Sequence, residues 1–91
     1  MQQIAKEFDN GYAFCAGSLF CVYQVEKTAD KVILFGKETQ GDTLVFRERI
    51  FFSLEQEMPV RRFARALAES QTFPRMMIEL AEEYFSSALL E

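Results

Sequence analysis

A chain of 91 residues with 10 Lys+Arg, 14 Asp+Glu, a formal charge of -4 and 49% hydrophobic residues has the composition of one soluble globular domain. Ten Phe and three Tyr exclude a disordered chain. No histidine is present, so histidine-based nucleophilic catalysis and histidine metal ligation are excluded together.

Other chemistry is equally thin. Cys15 and Cys21 are two thiols where a structural zinc site wants four N or S ligands. The four glycines form no phosphate-cradling motif, and the segment Gly36–Asp42 lacks calcium-loop spacing. No cofactor and no metal are expected. Met1 to Glu7 lacks the apolar run of a signal peptide. The uncharged stretch from Asn10 to Val25 is too short to span a bilayer as a helix, which takes about 20 apolar residues. The expectation is a cytoplasmic protein that does not enter membranes.

In chain order the first half reads as strands. Asn10-Gly11 is a turn signal between Ile4–Phe8 and Tyr12–Ala16, so the N-terminal segment is either a first strand or a frayed arm. Ala13–Val25 reads either as one strand, with Cys15 and Cys21 on one face about 20 Å apart at ~3.3 Å per residue, or as a hairpin turning at Gly17-Ser18, which sets Cys15 opposite Phe20 and Cys21 opposite Phe14. In the hairpin the two thiols lie on opposite faces, and neither arrangement brings the Cα atoms within the ~7 Å of a disulfide, so two free, buried cysteines are expected. Leu19–Glu26 alternates, Lys27–Asp30 is a polar turn, and Val32–Phe35 is a short apolar strand. Gly36–Asp42 reads as a solvated loop and Thr43–Phe52 as a long strand. In that strand Leu44, Phe46, Ile50 and Phe52 share one face with Glu48, while Val45, Arg47, Arg49 and Phe51 take the other. A carboxylate on an apolar face implies an edge or a bulge, or else an acid of raised pKa near a site.

The second half reads as helices. Ser53-Leu54-Glu55-Gln56 has capping-box spacing, but Pro59 limits that start to a turn over 54–57 and places the first helix near Pro59. Its inner face is Val60, Phe63, Ala64 and Leu67, with Arg61, Arg62 and Arg65 outside, and Glu69-Ser70-Gln71 ends it. Thr72 caps a second helix that carries Pro74 in its first turn and runs to about Leu89 or Leu90. The fold class is α+β: an antiparallel meander of three to five strands over 1–53, then two α-helices over 54–91 packed on one face, all in a single domain 1–91. The order of strands followed by a helix resembles single-stranded nucleic-acid binding modules at the level of fold alone, which does not fix function.

The last helix carries an apolar arc of about 220° at 100° per residue, wider than the ~100° stripe that a surface helix needs. With Met76, Leu80 and Tyr84 on the sheet, the flank of Ile78, Phe85 and Leu89, bordered by Glu82, is left to meet another chain. The expected function is therefore a small acidic, non-enzymatic protein–protein interaction module of inhibitor, immunity or adaptor type, self-associating as a homodimer through its C-terminal helix. The alternative is a single-stranded nucleic-acid binding module that uses Arg47, Arg49 and Phe51, with phosphate contacts from Arg61, Arg62 and Arg65. The acidic balance of both halves of the chain weighs against a nucleic-acid partner.

Overall fold

The structure is a computed structural model that describes residues 6–8 and 10–85. Five strands form one sheet in sequential order, every neighbouring pair antiparallel: β1 (Lys6–Phe8), β2 (Gly11–Ala16), β3 (Leu19–Lys27), β4 (Val32–Gln40) and β5 (Thr43–Phe52). A 3₁₀ turn (Leu54–Gln56) leads into helix α1 (Glu57–Glu69), and a second 3₁₀ turn (Pro74–Met76) leads into α2 (Met77–Tyr84). The α+β meander with two helices is the fold that the sequence pattern implies, with β1 as a real strand.

Short connections dictate this topology, because strands joined by two-residue turns can only return antiparallel. Gly17 and Gly41 supply the positive φ (65° and 61°) of two such turns. The β2–β3 register sets Cys15 opposite Phe20 and Phe14 opposite Cys21, as the hairpin reading requires. The thiols are both free, but only Cys21 is buried and Cys15 is exposed. The expectation of two buried thiols fails at Cys15 because its face of the sheet carries no helix.

Three local readings are corrected. Gly36–Gln40 is not loop but the second half of β4, and the turn is Gly41-Asp42 alone. A register shift opposite Glu38 and Thr39 leaves Val45 as an extra residue in β5, so Leu44 pairs with Thr39 rather than sharing a face with Phe46. Glu48 sits on the outermost strand, which is the edge reading. Helix α1 starts at Glu57, two residues before Pro59. Proline is tolerated there because first-turn N–H groups have no intrahelical acceptor anyway. The Gln56 side-chain oxygen does accept from the Ser53 N–H at 3.1 Å, as the capping spacing suggests.

Thr72 does not cap the second helix. Its N–H closes α1 on the Leu67 carbonyl (2.9 Å), while the Gln71 N–H reaches the Ala68 carbonyl (3.0 Å). Gln71 takes a positive φ of 54° between them. This is a Schellman ending built on a residue other than glycine. The following helix therefore starts only at Met77.

Both helices lie on one face of the sheet. The core between the layers includes Phe14, Cys21, Tyr23, Val25, Val32, Leu34 and Phe52 from the strands. Val60, Phe63, Ala64, Leu67, Met77, Ala81 and Phe85 face them. Gly36 lets the chain after Pro74 approach: a Cβ there would lie 3.0 Å from the Met77 sulfur and 3.2 Å from the Pro74 Cβ. Beside it, Glu38 is fully buried. One Glu38 oxygen accepts the Arg75 backbone N–H at 2.8 Å, and the other accepts the Arg75 guanidinium at 2.6 Å. Burial pushes this carboxyl upward, but the side-chain and backbone hydrogen bonds and the charge of Arg75 outweigh that and hold it below its ordinary value.

Two tests follow from this core. A depressed Glu38 contributes stability that is fully present above about pH 4.5 and lost as pH falls through its folded value. Glu38→Gln should cost about 1–2 kcal/mol at neutral pH by replacing charge-assisted bonds with neutral ones. Thermal melts should show the gap between wild type and variant closing as pH falls below about 4.5; a gap that stays constant contradicts the buried ion pair. In the native state a thiol reagent should modify one cysteine per chain, Cys15. Burial pushes Cys21 to about 11, with Glu38 adding to it, and keeps it unreactive until the chain unfolds. Rapid labelling of both thiols would contradict this.

Candidate binding surface on the open sheet face

Alternation sends the side chains of each strand to two faces, and only one is covered by helices. Reading the register across β3, β4 and β5 assembles the other face row by row. Phe20, Thr39 and Leu44 form one row; Val22, Lys37 and Arg47 the next; then Gln24, Phe35 and Arg49; then Glu26, Ile33 and Phe51. Cys15 lies beside Phe20 from β2. The face is rich in large apolar groups that water reaches: Phe20 is 45% exposed, Leu44 47% and Phe51 56%. Phe20 and Leu44 flank Thr39 at one end of the face and Phe51 lies at the other, and large exposed apolar groups on one face mark interaction surfaces.

Among the described residues the cations on this face outnumber its acids. Lys37 and Arg47 are direct cross-strand neighbours, a like-charge pairing that destabilises a sheet by roughly 0.2–1 kcal/mol. Among the described residues no ion pair neutralises Lys37, Arg47 or Arg49. Arg49 instead rides over the Phe35 ring at 5.9 Å, and Lys31 over the Phe51 ring at 5.6 Å. The opposing acid on these rows is Glu26. Two open depressions of about 240 Å³ each share Arg49: one lined by Arg47, Glu48, Arg49 and Phe51, the other by Gln24, Glu26, Ile33, Phe35 and Arg49.

The helical side is arranged in the opposite way. Arg61 pairs with Glu57 at 3.1 Å, Arg65 with Glu69 at 2.9 Å and Arg75 with Glu38. Lys27 also reaches Glu57, at 3.2 Å. Hydrogen bonds from Lys27 and Arg61 hold the Glu57 carboxyl below its ordinary value. An acidic net charge thus coexists with a sheet face where cations outnumber acids.

The predicted residues separate accordingly. Arg47, Arg49 and Phe51 do share one accessible face. Arg61, Arg62 and Arg65 do not join them, because α1 packs against β2 and β3 on the covered face. The proposed helix flank is corrected at Phe85, which is 6% exposed and packs against Phe52 (4.9 Å) and Phe63 (5.3 Å). Met77, Ala81 and Phe85 turn inward, while Met76, Ile78 and Tyr84 face solvent. The tighter 3₁₀ turn through Met76 and the anchoring of the Arg75 N–H set this phase, which sequence periodicity alone misplaces. Ile78 and Glu82 remain exposed, and Leu89 lies outside the described residues. Sequence reading missed Lys37, Phe20, Phe35 and Leu44 as members of the open face; the register of β4, once extended past Gly36, is the signal that finds them.

A groove of about 450 Å³ between α1 and α2, lined by Phe63, Leu67, Leu80 and Tyr84 among others, has no convergent set of charged groups. Among the described residues no cluster of three or more Cys, Asp or Glu could hold a metal, and no helix is long and apolar enough to cross a membrane. No known protein family, curated protein or solved structure matches this chain.

Proposed function

We propose that this protein is a small non-enzymatic binding module whose working surface is the uncovered sheet face, where it takes an anionic macromolecular partner. The observation that carries this reading is the Lys37–Arg47 neighbour pair, flanked by Arg49, none of the three in an ion pair among the described residues, on a face that also exposes Phe20, Leu44 and Phe51. Unneutralised like charges on neighbouring strands cost stability, and an anion removes that cost on binding. Exposed rings beside the cations add apolar contact area, the combination that binding hot spots use. The same cations disfavour pairing of two copies through this face, since a two-fold contact would set the basic strips against each other. The lack of histidine supports a binding rather than a catalytic role, since it removes the commonest general base.

Heparin resin tests the reading, because a chain of net charge -4 should flow through unless its charge is segregated. The wild type should be retained at about 50 mM salt and released as salt rises. Arg47→Glu with Arg49→Glu should abolish retention, and Arg62→Glu on α1 should leave it unchanged. A wild type that flows through contradicts the reading.

A further inference from the structure

Resting on that reading, we infer that the anionic partner is single-stranded nucleic acid, its bases stacked on Phe20 and Phe51 and its phosphates on Lys37, Arg47 and Arg49. An acidic protein segment would satisfy the cations but has no use for flat aromatic platforms at both ends of the strip. Phe20 and Phe51 are two strands and about six residues apart, roughly 20 Å at ~3.3 Å per residue, a span for several nucleotides. Each ring is about half exposed, so a base can lie on it without repacking the core. The depression that Arg49 shares with Phe35 offers Gln24 and Glu26 to the edge of a base, an edge that a single strand exposes and a duplex hides. Cations in the middle and rings at the ends match a polymer that alternates phosphate with flat base, and Arg49 on Phe35 shows that π contacts are already made on this face.

Fluorescence anisotropy with short fluorescein-labelled oligothymidylate and oligouridylate tests the inference, the two probes separating DNA from RNA as the source. Three phosphate contacts predict a log–log salt slope of about -2 for a single strand, hence about twentyfold weaker binding at 200 mM salt than at 50 mM. Phe20→Ala and Phe51→Ala should each weaken binding about tenfold with the slope unchanged, since stacking carries no counterion term. Arg47→Glu with Arg49→Glu should abolish binding, and bound oligonucleotide should slow labelling of Cys15 next to Phe20. Unlabelled duplex should compete poorly. If neither oligonucleotide binds while heparin is still retained, the nucleic-acid inference fails and the surface reading stands; if heparin is not retained either, both fail. Competition by duplex equal to that by single strand, or indifference to both Phe variants, would also overturn the inference.

Discussion

The buried contact between Glu38 and Arg75 fixes how the second helical segment sits on the sheet. A carboxylate with no exposure at all is tolerable only when both oxygens are satisfied, and here a backbone N–H and a guanidinium satisfy them. The bond to the Arg75 N–H joins strand to 3₁₀ turn at one atom, and Gly36 two residues earlier gives Met77 its place. Tyr23, also fully buried, donates its hydroxyl to the Thr72 carbonyl in the preceding connection. Three neighbouring positions on β3 and β4 thus set the rotation of α2, so that Met77, Ala81 and Phe85 turn inward. With the phase set this way, Phe85 joins the ring cluster of Phe52, Phe63 and Tyr84 and is withdrawn from the surface.

Covering one face so completely leaves the other bare. Five antiparallel strands expose one whole side unless a second layer is supplied, and no described element supplies it. What distinguishes this side is where the charges went. Arg61 and Arg65 of α1 are absorbed by neighbouring glutamates, Glu57 taking both Lys27 and Arg61. On the open face Arg49 is left to the Phe35 ring, and Lys37 and Arg47 form no ion pair among the described residues. A whole-chain charge balance is therefore a poor guide to what this protein attracts, since electrostatic attraction is governed by the local field at the contacting face.

Much of the fold is legible in the sequence because it is locally encoded. Gly17-Ser18 between alternating runs specifies a hairpin and its register, and Val60, Phe63, Ala64 and Leu67 specify the buried side of α1. What escapes is encoded at a distance. Gly36-Lys37-Glu38-Thr39-Gln40 reads as a turn because it is polar, yet its one buried acid finds its partner 37 residues later in the chain. The displacement of Leu44 needs the extra residue at Val45, which alternation alone does not locate. The trio Arg47, Arg49 and Phe51 is legible because every second residue of a strand shares a face. Its union with Arg61, Arg62 and Arg65 fails because the sequence does not say which face the helices cover.

Backbone amide NMR during titration with oligothymidylate tests whether the uncovered face does the binding. Perturbed amides should cluster on β3, β4 and β5 around Phe20, Val22, Lys37, Arg47, Arg49 and Phe51, with α1 and α2 undisturbed. Perturbations concentrated on Glu57–Glu69 and Met77–Tyr84 would place the binding surface on the helical layer instead.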